Sequence, residues 1–217
     1  MRELYVATIG AAHALDDEAL SRSLTATLAA KPKGAGWWVF GYGSLLWNPL
    51  FPIAEARPAT LHGLHRRFCL RSLASRGTRE RPGLVLGLER GGACRGVAFR
   101  VAAKARGDVV DYLRSREQTT HVYREVTRSV WLENDARERV SALAYVVDRG
   151  HVQYAGRLSL TEQLRFVQQG HGRSGNNRDY VLATVKSIEA QGFRDAQLHQ
   201  LAAMLHGDAH SLHPPLE

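Results

Sequence analysis

The hydrophobic pattern changes its period before the last third of the chain, and that change restricts the fold more than any other feature. Between Trp37 and Val147, apolar residues come in short runs or alternate with polar ones, the two-residue repeat of strands. From Ser159 onward they recur every three or four residues, the repeat of helices. Strands first and helices afterwards predict an α+β fold with a closed or nearly closed sheet.

Individual segments sharpen this expectation. Trp37–Phe40 begins a strand, and "RPATLHGLHRRFCL" reads as a long one with a bend at Gly63. "GLVLGLE" and "RGVAFRV" read as two short strands joined by a turn at Arg90-Gly91-Gly92. "THVYREVTRSVWLE" and "ERVSALAYVVD" form another pair, joined at Asn134-Asp135. Between the pairs lies "GDVVDYLRSRE", where Val109, Val110 and Leu113 mark one face of a short helix. Ser159 and Glu162 have the spacing of a capping box, with Ser at the N-cap and Glu three residues on. The glycine-rich "HGRSGNN" ends that helix. Tyr180, Val181, Val185 and Ile188 mark a second, and Asp195 caps a third. Residues 1–36 read as an N-terminal helical extension, with Leu20, Leu24 and Leu28 on one face, and a Lys-Pro-Lys-Gly-Ala-Gly linker. Residues 37–217 are expected to form the domain proper.

Several function classes drop out early. A chain of 217 residues can bury a core without staples, and its two cysteines, Cys69 and Cys94, match no disulfide framework or zinc motif. They read as reduced thiols in a cytoplasmic protein. No stretch reaches the roughly 20 apolar residues a membrane span needs, and the first 20 residues lack the core of a signal peptide. The formal net charge of +8 comes from dispersed arginines with no run of five and no nucleic-acid motif, so no nucleic-acid partner is expected. Such an excess can still steer a small acidic substrate. His62 and His65, and His206 and His210, lack the carboxylate or cysteine company of a metal site, so no metal is expected.

Two places remain for chemistry. "VFGYGSLLWNP" turns sharply after a strand, without the spacing of a phosphate loop, a dinucleotide fold or a nucleophile elbow. Glycines on both sides of Tyr42 permit unusual backbone conformations there, and successive N–H groups in such a turn can hold an anion. A purely structural turn is the competing reading. Glu117 ends the short helix, where the helix dipole disfavours an acid; it is either solvated or held there for a purpose.

These motifs have company. "VFGYGSLLWNP", "HRRFCLRSLASRGTRERPGLVLGL", "GVAFRV", "YLRSRE" and "YAGRLSLTEQLRFVQQGHGRSGNNRDYVLATVKSIEAQGFRD" occur in order over roughly residues 37–205. Together they resemble the ChaC-type γ-glutamylcyclotransferases. The resemblance implies a γ-glutamylcyclotransferase-like small β-barrel with packed helices. It also implies cleavage of glutathione to 5-oxoproline and cysteinylglycine without a cofactor. In that family the turn corresponding to Gly41, Tyr42, Gly43, Ser44, Leu45 and Leu46 holds the γ-glutamyl group. Glu117 matches the catalytic acid, which serves as general base and then general acid. Ala74-Ser75 and Thr119-Thr120-His121 depart from the pattern of many relatives, which bears on substrate preference.

The implied reaction sets further expectations. The substrate's own α-amine is the nucleophile, so no serine or cysteine nucleophile is needed. A carboxylate that carries a proton requires a raised pKa, which burial near Tyr112 or Tyr123 would supply and a neighbouring Arg116 would oppose. Arg116 is therefore expected to point away. Arg76, with Arg79 and Arg81, is a candidate for attracting the glycine carboxylate of glutathione, the alternative being a solvated basic loop. Tyr123 is a candidate substrate contact, or else a core tyrosine. Action on other γ-glutamyl amides and non-catalytic γ-glutamyl binding remain the alternative functions.

Overall fold

Five strands account for the β-patterned half: β1 (Trp37–Gly41), β2 (Glu55–Ser72), β3 (Gly83–Val101), β4 (Tyr123–Leu132) and β5 (Arg139–Val147). They close into a barrel in the order β1-β3-β2-β4-β5. The computed structural model describes residues 37–118, 120–133 and 138–211, with side chains as far as residue 207. The extension and linker expected over 1–36, and the turn at Asn134-Asp135, lie outside the described residues. Closure comes from β1 running parallel to β5, Trp38 opposite Ala142 and Val39 opposite Leu143. β4 and β5 pair antiparallel from Tyr123–Val147 to Trp131–Arg139. All five residues of β1 are buried, which is why "WWVFG" shows no alternation.

One expectation needs correction. Residues 83–101 form a single strand of 19 residues, without a turn at Arg90-Gly91-Gly92. Gly91 and Gly92 take φ of 101° and 65°, left-handed values open to glycine without penalty, so the strand bends and continues. His65 on β2 still meets the Gly91 carbonyl across the bend, Nδ1 to O 3.0 Å. Gly63, with φ of 81°, makes the expected bend in β2.

The chain forms two compact units. The first takes the chain up to Arg67 and Gly87–Tyr154. It contains helix α1 (Arg106–Glu117), where the expected stripe of Val109, Val110 and Leu113 is buried and Arg114 is buried beside it. Val109, Val110 and Leu113 join Val39, Leu45, Phe99 and Tyr145 in one apolar cluster, so α1, β1, β3, β5 and the Tyr42 turn share a core.

The second unit takes Phe68–Leu86 and the chain from Ala155 onward. It carries α2 (Leu160–Gln169), α3 (Asn177–Ala190) and α4 (Ala196–Ser211). The capping box is present: Glu162 N donates to Ser159 Oγ at 3.3 Å, and Ser159 N donates to Glu162 Oε2 at 2.7 Å. Leu198 N donates to Asp195 Oδ1 at 3.2 Å, capping α4 as expected. Between α2 and α3, "HGRSGNN" is a two-stranded ribbon, His171–Gly172 with Gly175–Asn176.

Candidate active site

The turn after β1 is set by steric closeness. A Cβ on Gly41 would lie 2.7 Å from Phe99 Cε2 and 3.2 Å from Leu45 Cβ, so the position admits no side chain without movement of its neighbours. Neither Gly41 nor Gly43 has positive φ, but Gly43, at φ −132° and ψ −125°, lies outside the helix and strand regions that other residues favour. Beyond it, Ser44–Leu46 make one 3-10 turn, closed by Leu46 N donating to Gly43 O at 2.9 Å. The amides of Ser44 and Leu45 precede that first bond and take no part in it, as at any helix start. Two hydrogen bonds fix Tyr42 itself. Its hydroxyl donates to the Tyr145 carbonyl at 3.0 Å, and its carbonyl accepts from Arg66 Nε at 2.6 Å. Ser44 is half-buried, while Leu45 and Leu46 pack into or against the shared core.

Helix α1 brings Glu117 to this turn, by way of a residue the sequence reading placed wrongly. Arg116 does not point away from the carboxylate: Arg116 Nε lies 3.0 Å from Glu117 Oε1. The same guanidinium donates to Ser44 Oγ at 2.7 Å and to Tyr112 Oη at 2.8 Å, and it also donates to the Asn48 carbonyl. Arg116 thus joins the turn to the carboxylate. The reason lies in hydrogen-bond supply. A part-buried guanidinium has five N–H donors to satisfy, and the turn offers oxygen acceptors where bulk water is restricted.

Arg116 and Glu117 side chains are 19% and 15% exposed, so the pair is sheltered yet reachable. Burial pushes the Glu117 carboxyl above the usual carboxylate range, and Arg116 opposes this by charge and hydrogen bond without cancelling it. The expected direction of the shift therefore holds although one of its expected conditions does not.

One turn earlier on α1, Arg114 grips Glu125 of β4 with two hydrogen bonds, 2.9 and 3.2 Å. Both side chains are almost wholly buried, at 3% and 4% exposure. Glu125 faces Tyr145 across the β4–β5 ladder. Sequence reasoning passed over Arg114, Glu125, Tyr145 and Asn48. For Tyr145 a signal existed: a polar tip inside the otherwise apolar "ALAYVV" is the kind of residue whose burial carries information.

The two candidate contacts fare differently. Tyr123 begins β4 and packs, part-buried, against the same apolar cluster as Leu45 and Leu113. Arg76 belongs to the second unit, where its guanidinium lies 5.6 Å from the Tyr180 ring centroid and donates to the Asn176 carbonyl at 3.2 Å. Arg79 and Arg81 are exposed. Among the described residues no three His, Cys, Asp or Glu side chains gather as metal ligands, and no helix is long and apolar enough to cross a membrane.

What the arrangement can do follows from its parts. A sheltered carboxylate of raised pKa, near a turn with spare amides, can move a proton to and from a ligand held by that turn.

The model of the ChaC-like protein family matches residues 37–207. The glutathione-specific γ-glutamylcyclotransferase of Escherichia coli K12 is 34% identical over 186 residues, covering 85% of this chain and 79% of that protein. The Schizosaccharomyces pombe protein of the same name is 30% identical over 185 residues, covering 77% of this chain and 90% of its own length. Among solved structures, a yeast γ-glutamylcyclotransferase specific to glutathione superposes with a TM-score of 0.73 at 23% identity, over 80% of this chain and 97% of that one. That likeness speaks for the fold.

Proposed function

The chain belongs to the ChaC-like family, and from that premise we propose that it is a glutathione-specific γ-glutamylcyclotransferase. Its substrate is cleaved to 5-oxoproline and cysteinylglycine. The α-amine nitrogen of the γ-glutamyl group attacks the γ-carbonyl carbon, a C–N bond closes the five-membered ring, and the bond to the cysteinyl nitrogen breaks. One proton leaves the attacking nitrogen and one is delivered to the departing nitrogen. Glu117 carries it, as base and then as acid. The turn Gly41, Tyr42, Gly43, Ser44, Leu45 and Leu46 holds the γ-glutamyl group, the amides around Tyr42-Gly43-Ser44-Leu45 gripping its α-carboxylate and keeping the ring-closing conformer, an orientation effect worth up to several kcal/mol. Tyr123 as a substrate contact, and Arg76 as a residue that attracts the glycine carboxylate, complete this reading. A cytoplasmic location belongs to it too, and the two buried thiols Cys69 and Cys94, neither of them in a disulfide, fit it.

The observation that carries the proposal is the Arg116 bridge. Through it the sheltered carboxylate and the Ser44 hydroxyl of the turn share one guanidinium. The experiment is release of 5-oxoproline by the purified chain from glutathione and from γ-glutamylalanine, beside Glu117→Gln. Rapid product from glutathione alone, lost in the variant, is the expected outcome. Rapid product from the dipeptide with little from glutathione would transfer the activity to other γ-glutamyl amides.

A further inference from the structure

The Tyr145 side chain is 1% exposed, yet among the described residues nothing hydrogen-bonds its hydroxyl. A buried hydroxyl without a partner costs roughly 1–3 kcal/mol, so such groups are rare and call for an explanation. Its position supplies one. Tyr145 stands directly opposite Glu125 in the β4–β5 ladder, where facing side chains share one side of the sheet. Glu125 in turn is held by Arg114, three residues before Glu117 on α1 and therefore on the same helix face. The Tyr145 backbone carbonyl receives the Tyr42 hydroxyl, which ties its strand to the turn. Tyr145, Leu45 of the turn and Leu113 of α1 belong to one cluster.

We infer that Tyr145 is a second catalytic residue, whose hydroxyl donates a hydrogen bond to the γ-carbonyl oxygen of the substrate as that oxygen gains negative charge. The inference rests on the cyclotransferase reading and adds to it the donor that Glu117 cannot be, since a carboxylate acting as base only accepts. Burial above all, then the charges of Glu125 and Glu117, keep the phenol protonated well beyond its ordinary range, while Arg114 pulls the other way. The hydroxyl is thus a permanent donor. It is pre-aimed, because no protein group has to release it before the substrate arrives.

The test is Tyr145→Phe in the full chain, with turnover of glutathione to 5-oxoproline and thermal melting measured beside wild type and Glu117→Gln. Loss of one oxyanion donor is expected to lower kcat about 10²-fold or more. KM should stay within about threefold, the mark of an interaction made in the transition state. The melting temperature should equal or exceed that of wild type, because the variant removes an unsatisfied buried oxygen. A kcat within about threefold of wild type overturns the inference, and so does a variant that melts lower or fails to fold, since the hydroxyl is then a structural donor. A wild-type chain that makes no 5-oxoproline from either substrate would instead overturn the cyclotransferase reading itself.

Discussion

Helix α1 carries two arginines that each pair with a carboxylate, Arg114 with Glu125 of β4 and Arg116 with Glu117 of the helix itself, and the pairs are built for opposite ends. Arg114 and Glu125 are almost wholly buried and joined by two hydrogen bonds from one guanidinium to one carboxylate. Arg116 and Glu117 remain part-exposed, and the Arg116 guanidinium also donates to Ser44, Asn48 and Tyr112. A pair joined twice over and almost sealed from solvent ties α1 to β4. A carboxylate that solvent still reaches, its pKa lifted by burial against the pull of Arg116, is left able to change. The same two residue types thus make a buried clamp between α1 and β4 and, two positions further along the helix, a pair whose carboxylate fits the proton-carrying role proposed for it.

The largest break in this comparison is expected from Glu117→Gln. Turnover of glutathione should fall by about 10²- to 10⁴-fold, the range of a lost general base. Stability should move the other way. A carboxyl whose pKa is raised by folding adds stability below its unfolded pKa and loses that contribution as pH rises through the folded value. At neutral pH the glutamine variant should therefore melt at or above the wild-type temperature, with the gap closing on acidification. A variant that kept full turnover would remove Glu117 from the mechanism.

Glu125→Gln should do the reverse. Removing one partner of a buried pair leaves the other charge uncompensated, at a cost of about 3–5 kcal/mol. Urea unfolding would show it as a lower midpoint with a similar slope. If Glu125→Gln proved as stable as wild type, the description of this pair as a clamp would fail.

The contrast between the pairs also marks how far the sequence could be read. Periods of two and of three to four residues gave the α+β layout, the α1 stripe and the Ser159 cap, because these depend on neighbours along the chain. The turn at Gly91-Gly92 was misread because two glycines signal a bend in a strand and a break between strands equally well. Glu117 was found through motif resemblance, yet the orientation of Arg116 was expected backwards. Its partners Ser44 and Asn48 lie more than 60 positions away, beyond the reach of local pattern. Tyr145 went unnoticed in a strand where nearly every residue is buried, since a strand covered on both faces shows no period to depart from.

A smaller break is available at the turn. Gly41→Ala sets a methyl group 2.7 Å from the Phe99 ring edge, so the ring, or the strand carrying it, must give way. Overpacking of this kind costs about 1–3 kcal/mol. If the turn positions the γ-glutamyl group beside Glu117, KM for glutathione should rise together with the loss of stability. Destabilisation with unchanged kinetics would show a turn that matters to folding and leaves the substrate alone.

Arg116→Met has the smallest expected effect at neutral pH and is the sharpest probe of the difference between the pairs. It removes the link between Glu117 and Ser44, which should cost about tenfold in kcat/KM, the size of one modest charge-assisted hydrogen bond. The pH profile tells more than the rate. Burial raises the Glu117 carboxyl and Arg116 lowers it, so without the guanidinium only the raising influence remains. The base form is needed for attack, and the acidic limb of kcat/KM, which reports the free enzyme, should therefore move to higher pH. The variant's deficit would grow on acidification and shrink as the medium becomes more alkaline. A limb that stayed in place would mean that Arg116 serves the turn and not the carboxylate, and the two arginine–carboxylate pairs would then differ in exposure alone.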